Sequence, residues 1–220
     1  MDSYIPVPER PKDKNFTMSI DAAHNIAGRG CVVTGTVEQG TIKAGEDVHL
    51  VGITRKPLAS TITSIEAFKK TLDNATAGDN CGMLMRGINK DDVKRGMVIT
   101  KPNTLEVRRN FEAEVYVLKA DEGGRHKPFF NGYRPQCFMR TADIACDVTL
   151  PKGKEMAAPG DNFTATMKLT FPLPILAGQR FALREGGKTV ASGIVSKLLE
   201  DTKEDFQEEE NRVTKKKGAK

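Results

Sequence analysis

The stretch Phe163–Leu169 reads FTATMKL, and its larger apolar side chains alternate with threonine and lysine. A period of two residues places successive side chains on opposite faces of an extended strand, whereas a helix requires a period near 3.6. The stretch therefore predicts a strand with one buried face and one wet face, as in antiparallel sheets. Pro172 and Pro174 follow and end the strand, because proline cannot donate to a sheet ladder.

Short runs of the same kind lie on both sides of this strand. They are rich in valine, isoleucine and threonine, are separated by glycines, and read TMSI, CVVTGTV, EDVHLVGI, ASTITSIEAF, NCGMLM and GMVIT, then FEAEVYVL, CFMRTADIACDVTL, NFTATMKLTFPL and QRFALREGGKTVASGIVSKLL. Short strands at near-regular spacing are typical of antiparallel barrels or sandwiches. We predict an all-β chain of two consecutive antiparallel β-barrels.

Changes of composition predict four segments. Residues 1–14 contain three prolines and read as a stiff linker that arrives from a preceding domain. The barrels are expected over 15–101 and 102–199, each of ordinary domain size. Residues 200–220 hold seven carboxylates followed by five cations, which predicts a mobile tail or a solvated helix. An electrostatic contact of this tail with RNA or protein is the alternative.

Charge and composition restrict the class of protein. The 220 residues carry a net charge of +5, which favours an acidic partner, nucleic acid first. A membrane is disfavoured because the sequence has neither a run of 18 apolar residues nor a basic amphipathic helix. The first 16 residues resemble neither a signal peptide nor a transit peptide. The four cysteines lack C-x-x-C spacing and are expected to be buried free thiols rather than metal ligands or disulfides.

The segment Asp121–Gln136, DEGGRHKPFFNGYRPQ, combines glycines and prolines with three aromatic and several cationic side chains. It has neither a helical nor an alternating period, so it is expected to be a loop. Its aromatic rings would be costly to leave in water. They either pin the loop to a scaffold that directs the cations outward, or cover the core beneath a long hairpin.

Several shorter features are candidate contact positions. The glycines of Gly28–Gly30 allow a tight turn from which Arg29 projects, either towards a ligand or simply into solvent. Glu66 ends an alternating strand and Asn80 follows a Gly-Asp turn, places where surface charge and turn formation are the plainer interpretations. Residues Asn89–Gly96 begin acidic, end basic and close on glycine, which predicts one or two helical turns.

The sequence indicates no catalytic or metal site. Gly186–Thr189, GGKT, imitates the end of a phosphate-binding loop, but Ala182 stands where its first glycine is needed and a strand pattern follows. The three histidines, His24, His49 and His126, stand far apart in the chain, and no paired carboxylates or metal-ligand cluster emerge. We predict that this chain alone is not an enzyme and binds no nucleotide.

The loop DEGGRHKPFFNGYRPQ, the turn GRGCVVTGTVEQGTIKAGE, the segment GDNCGMLMRGI and the closing REGGKTVASGIV together resemble elongation factor Tu over about residues 4–199. The resemblance is to the second and third domains of that three-domain GTPase. It implies translation elongation, with aminoacyl-tRNA and the ribosome as partners. It also implies a GTPase domain, in cis or in trans, that supplies GTP and magnesium, and the nucleotide exchange factor Ts.

The resemblance implies a site for the aminoacylated 3′ end of tRNA in the first barrel. The matching positions are His24, Ile26, Arg29, Glu66, Asn80 and Arg95. Ile26 and Glu66 would form the slot for the terminal adenosine, Arg29 and Arg95 would face phosphates, and Asn80 would bind the free amine of the amino acid.

In the second barrel the resemblance implies contacts with the T stem of tRNA. The matching positions are Arg125, His126, Gln136, Glu185 and Gly186. Mixed polar groups suit A-form RNA, which is recognised mainly by its backbone and 2′-hydroxyls. Gln136 and Ala182 also resemble the face that meets the GTPase domain, so an interdomain role for Gln136 is equally open.

Three positions depart from the family pattern. Ala22 and His24 replace an aspartate and a phenylalanine of the amino-acid pocket, around Ala23, and Ala145 replaces a T-stem threonine. Each lost contact would weaken binding by roughly 1–2 kcal/mol. The departures and the basic-ended tail favour the mitochondrial matrix over the bacterial cytoplasm. A GTPase-free structural subunit of a larger organellar assembly is the alternative to tRNA delivery.

Overall fold

The computed structural model describes residues 10–26 and 28–209, which divide into two compact units. The first unit comprises the described residues before Gly52 together with Lys56–Leu105; the second comprises Gly52–Arg55 and the described residues from Glu106 onward. Each unit is built from antiparallel strands, which confirms the all-β prediction. Within these ranges no helix is both long enough and apolar enough to cross a membrane.

The first unit is a β-barrel. Its strands are β1 (Thr17–Ile26), β2 (Gly30–Gln39), β3 (Thr41–Lys43), β4 (Asp47–Gly52), β5 (Thr54–Ala67), β6 (Lys70–Leu72), β7 (Asn74–Thr76), β8 (Asn80–Met85) and β9 (Val98–Thr100). Gly52 at the end of β4 and Thr54–Arg55 at the start of β5 group with the second unit. The main sheet has the order β4-β9-β1-β2-β8-β5-β6, and a further pairing between β4 and β5 closes it. The short strands β3 and β7 form a separate pair.

Alternating burial along the strands builds the core of this barrel. Val33 on β2 and Met83 on β8 are fully buried opposite one another, whereas their sequence neighbours reach the outer face. Gly35 is required where β2 crosses β1, because a Cβ atom there would lie 1.9 Å from the carbonyl oxygen of Ser19. The backbones can approach this closely only where no side chain intervenes.

The second unit is a closed six-stranded barrel of order β10-β15-β13-β12-β16-β17. The strands of this unit are β10 (Arg108–Val117), β11 (Phe129–Phe130), β12 (Gln136–Met139), β13 (Ala142–Thr149), β14 (Met156–Ala157), β15 (Asn162–Leu173), β16 (Arg180–Glu185) and β17 (Lys188–Leu198). Ala165, Met167 and Leu169 of β15 are buried and Thr164, Thr166 and Lys168 are not, as the alternation of FTATMKL predicts.

Some details of the strand assignments differ from the sequence-based expectation. The run Cys137–Leu150 is divided into β12 and β13 by a tight turn in which Arg140 adopts a left-handed φ of 52°, a conformation that arginine does not signal in sequence. Within Asp121–Gln136, mostly loop as expected, Phe129–Phe130 pairs with Met156–Ala157 as β11 and β14. The expected helical turn within Asn89–Gly96 is a single 3₁₀ turn, Lys90–Asp92.

The charged tail is predicted to be mobile or a solvated helix. In its described part residues 203–209 are helical, but this helix is not fully solvated, since the Asp205 side chain is 2% exposed. The buried side chain of Arg109 contacts this segment, and no sequence pattern predicts that contact. Residues 210–220 and most of the expected linker, residues 1–9, lie outside the described residues. All four cysteines are buried free thiols, as expected.

Candidate nucleic-acid interface

A cavity of about 280 Å³ opens on the outer face of the first barrel. Its walls come from the end of β1, from β2, β5 and β8, and from the turn after β5. The lining residues are Ile26, Arg29, Val32, Thr34, Ser64, Glu66, Phe68, Lys69, Gly82 and Leu84. Three residues singled out by sequence, Ile26, Arg29 and Glu66, thus meet in one place although they are 40 positions apart in the chain.

The β1–β2 turn positions Arg29. Its backbone N–H donates to the carbonyl oxygen of Ile26 at 3.0 Å, and Gly28 and Gly30 take positive φ angles of 74° and 116°. The Arg29 guanidinium lies 3.9 Å from the Glu66 carboxylate, and the two side chains are 68% and 51% exposed. An ion pair at this distance, with both side chains exposed to solvent, is weak, so both charges remain available to a ligand.

His24 and Asn80 lie beside the cavity rather than in its wall. His24 is paired with Val32 across the β1–β2 ladder, so the two side chains share the outer face. Asn80 precedes the lining residues Gly82 and Leu84 at alternate positions of β8, and its amide donates to the Thr36 hydroxyl at 3.3 Å. Both positions therefore lie on the face that carries the cavity, His24 on the neighbouring strand β1 and Asn80 further along β8.

Arg95 is not brought into this cavity. It is an exposed residue of the connection between the 3₁₀ turn and β9, and it is not among the lining residues. The sequence-based set for the 3′ end therefore divides into three residues that line the cavity, two beside it on the same face, and Arg95 elsewhere on the barrel surface.

The sequence reasoning missed most of the apolar wall. Val32, Leu84 and the exposed aromatic ring of Phe68 were not singled out. Val32 and Leu84 occupy outward positions of strands that look like ordinary core strands. Phe68 carried a usable signal: an aromatic residue that follows the end of β5 and precedes two lysines is poorly placed for the core, and it is 92% exposed.

In the second barrel a polar cluster joins the loop to the β16–β17 hairpin. Arg125 Nη1 contacts Glu185 Oε2 at 2.5 Å, and the Tyr133 hydroxyl donates to the same oxygen at 2.9 Å. Burial and the hydrogen bond to Glu185 raise the pKa of Tyr133 to about 12, so the hydroxyl stays protonated and remains a donor. His126, next to Arg125, is exposed.

The aromatic residues of the loop Asp121–Gln136 both cover the core and pin the loop to the barrel, the two roles that the sequence suggests. Phe129 is 3% exposed within the barrel core and stacks on Tyr133 with ring centroids 4.5 Å apart, while the Arg125 guanidinium lies 4.9 Å from the Tyr133 ring centroid. The loop thus covers part of the core and fixes Arg125 in place. Phe130 is the exception, at 62% exposed.

A second cavity, of about 400 Å³, adjoins this cluster. Its lining residues are Arg134, Pro135, Gln136, Phe138, Arg184, Glu185, Gly186 and Gly187. Gln136, Glu185 and Gly186 are thereby brought together, and Arg125 is linked to them through Glu185. Sequence reasoning missed Arg184, whose guanidinium lies 5.2 Å from the Phe138 ring centroid and donates to the Gly187 carbonyl oxygen at 2.9 Å.

The segment Gly186–Thr189 does not have the geometry of a phosphate-binding loop. Gly186 and Gly187 form the two-residue turn of a β-hairpin, with φ angles of 54° and 82°, and Lys188 begins β17. A phosphate-binding loop would instead lead into a helix whose N-terminal N–H groups hold the anion. The GGKT sequence is explained by hairpin geometry, which favours glycine at both central positions.

Comparison with known protein families agrees with both barrels. A model described as elongation factor Tu domain 2 matches residues 30–100, and one described as elongation factor Tu C-terminal domain matches residues 104–199. The first match contains most of the residues around the first cavity, and the second contains the loop, the hairpin and the second cavity. Since these matches cover more than half of the 220 residues, the chain belongs to the elongation factor Tu family of translation elongation factors, of which it carries domain 2 and the C-terminal domain.

Proposed function

We propose that the first barrel binds the aminoacylated 3′ end of tRNA in the cavity between Arg29 and Glu66. The observation that carries the proposal is the convergence of Ile26, Arg29 and Glu66 on one cavity with an apolar wall. A terminal nucleotide offers an apolar base, ribose hydroxyls and a phosphate, and each has a counterpart here. Val32 and Leu84 suit the base, Glu66 suits the hydroxyls and Arg29 suits the phosphate.

The amino acid attached to that nucleotide would lie along the outer face marked by His24 and Asn80. Asn80 offers an amide oxygen to a free amine, an interaction common to all amino acids. Ala22 and His24 provide no carboxylate at this end of β1, so binding of the amine depends more heavily on Asn80. His24 presents an imidazole where the family has a phenyl ring.

The second barrel is proposed to contact the T stem through Arg125, His126 and the Glu185–Gly186 turn. The support is that Arg125 is held in one position by Glu185 and Tyr133, which lowers the entropy lost when RNA binds. Gln136 and the adjoining cavity are proposed as the face for a GTPase domain. That domain supplies GTP and magnesium, responds to exchange factor Ts, and delivers aminoacyl-tRNA to the ribosomal A site.

The test is binding of aminoacylated and deacylated tRNA to the 220-residue chain, with and without an added elongation factor Tu GTPase domain in its GTP form. We expect preference for the aminoacylated species, enhanced by the GTPase domain. The Asn80→Ala variant should lose that preference while still binding deacylated tRNA, because the amide oxygen is proposed to contact the amino acid and not the nucleotide.

Equal or negligible binding of both tRNAs, with the GTPase domain present, would overturn the proposal. It would instead favour a structural subunit that retains the fold of the family without its RNA ligand. GTP hydrolysis by the purified chain above a heat-inactivated control would contradict the assignment of nucleotide chemistry to another domain.

A further inference from the structure

The chain continues past the family match, which ends at residue 199, and the next residues lie on the second barrel. Residues 201–209, here called the acidic clasp, contain five carboxylates: Asp201, Glu204, Asp205, Glu208 and Glu209. The side chains of Asp201 and Asp205 are 0% and 2% exposed. Carboxylates are this deeply buried only where partners hold them.

Arg109 of β10 is the main partner, and its side chain is 1% exposed. Its guanidinium donates to three oxygens: Nε to the Leu169 carbonyl at 2.9 Å, Nη1 to the Asp205 carbonyl at 3.0 Å, and Nη2 to the Glu208 carboxylate at 2.9 Å. Two of these three acceptors belong to the acidic clasp. Without the clasp, the guanidinium would keep only the Leu169 carbonyl among these three acceptors.

Asp205 is held by β10 and β15 together. Its carboxylate lies 2.8 Å from Lys168 Nζ and accepts from the Asn110 amide at 2.7 Å, and it also accepts from the backbone N–H of Thr202 at 2.8 Å. Thr202 directly precedes the helical residues 203–209, and its hydroxyl in turn accepts from the Asp205 backbone N–H at 3.4 Å. Thr202 and Asp205 therefore form a capping box, and the Asp205 carboxylate binds both the start of the helix and the barrel.

Asp201 binds the backbone of β10 where its pairing with β15 is irregular. The pairing of β10 with β15 shifts between Arg108 and Asn110, and the Asp201 carboxylate accepts from the backbone N–H groups of Arg109 at 3.0 Å and Asn110 at 3.2 Å. Arg55, one of the four residues Gly52–Arg55 that belong to the second unit, contacts Asp201 at 2.8 Å and Glu209 at 2.8 Å.

The contacts between the acidic clasp and the rest of the second unit are almost entirely polar. Its one large apolar side chain, Phe206, is 44% exposed and lies beneath the Arg55 guanidinium at 4.0 Å. Because this association depends on charge pairs and buries little apolar surface, its strength depends on the charges of the clasp and of the barrel. Cations on the barrel select an acidic partner.

We propose that the cleft of Arg109, Lys168 and Arg55 is a docking site for an acidic helical segment, and that residues 201–209 are its resident occupant. The clasp opens as a unit when its charge is removed, without unfolding of the barrel, and the vacated cleft accepts the same segment from solution. The site serves this chain's own extension and uses none of the residues proposed to contact tRNA.

Hydrogen exchange on the full chain tests the opening. In Asp205→Asn, exchange of residues 201–209 should accelerate at least about tenfold, because a buried charge pair is lost. The matched control is Glu204→Gln, the same change one residue earlier at an exposed position, which should change exchange less than about twofold. Peptides from β17 should keep their protection in both variants.

Cleavage after Lys203 by trypsin gives an independent measure, because a docked helical segment resists the extended conformation that a protease requires. Exchange of residues 201–209 in the unaltered chain at the rate of an unstructured peptide would overturn the proposal. Equal effects of Asp205→Asn and Glu204→Gln would also overturn it.

The docking claim has its own test, in which a labelled peptide of residues 200–209, EDTKEDFQEE, is titrated into the full chain. The peptide should bind the Asp205→Asn chain more tightly than the unaltered chain, whose cleft is occupied at high effective concentration. A peptide that carries Asp205→Asn should bind neither the unaltered chain nor the Asp205→Asn chain.

Two results contradict the proposal. Loss of β17 protection in the Asp205→Asn chain would show that the clasp cannot open without unfolding of the barrel. Equal binding of the two peptides would show that the attraction is non-specific.

Discussion

Arg29 and Glu66 face one another across the mouth of the first-barrel cavity at 3.9 Å, each side chain more than half exposed. Two opposite charges at this distance in water contribute little to stability. Arg29 lies on the β1–β2 turn and Glu66 near the end of β5, so the fold offers a ligand two opposite charges side by side.

Arg29→Ala should weaken binding of aminoacyl-tRNA by roughly 1.5–3 kcal/mol, the range for hydrogen bonds to charged groups. It should also reduce the slope of log affinity against log salt by about 0.7, the value for one contact with a single-stranded phosphate. Titrations at several salt concentrations measure both. Lys43→Ala removes one exposed cation from β3, which does not line the cavity, and should leave binding almost unchanged. An unaltered slope in Arg29→Ala would exclude a phosphate contact.

Gly35→Ala should destabilise the first barrel by roughly 1–3 kcal/mol, since overfilled sites force the backbone to move. The new methyl group would lie 1.9 Å from the Ser19 carbonyl oxygen. Gly82→Ala on the adjacent strand is the matched control, because its nearest neighbour is the Val32 side chain at 3.2 Å. Hydrogen exchange of β1 and β2 reports the difference. Similar protection in the two variants would contradict the close approach of β1 and β2.

The acidic clasp should weaken in acid. Burial by itself raises the pKa of Asp205, but hydrogen bonds from Lys168, Thr202 and Asn110 outweigh it and hold this pKa below its usual range. Hydrogen bonds and charge from Arg109 and Lys168 likewise lower the pKa of Glu208. A depressed carboxyl pKa contributes stability that is complete above the ordinary value of about 4 and is lost as pH falls towards the lower folded value. Exchange of residues 201–209, corrected for its intrinsic pH dependence, should therefore accelerate below about pH 4.

The Asp205→Asn chain provides the comparison for that measurement. Its clasp should show a shallower dependence on pH, because one of the titrating carboxyls is absent. A dependence identical to that of the unaltered chain would assign the acid sensitivity to other groups.

The four thiols should be almost unreactive in the folded chain at pH 8. Burial raises the pKa of Cys81 to about 11, with a contribution from Asp79, and burial also raises the pKa of Cys31. Since the thiolate is the reactive form, an aromatic disulfide reagent should label the native chain slowly. The same reagent should label four thiols after unfolding. Rapid labelling of a native thiol would show that one barrel opens readily.

Local sequence patterns determined the fold class. The alternation of FTATMKL and the Gly28–Gly30 turn rest on interactions between near neighbours in the chain, so they can be read without knowing the fold. The resemblance to elongation factor Tu added the expected site residues, and the structure brings Ile26, Arg29 and Glu66 together.

Tertiary structure decided the features that depend on distant pairs. The sequence marks Phe68 as poorly placed for the core, but only the fold brings its exposed ring into the wall of the first-barrel cavity. Asp205 reads like one acid among many, and only the approach of Arg109, 96 positions earlier, buries it. A sequence records which charges exist, but the cost of burying a charge depends on which partner the fold brings within a few ångströms.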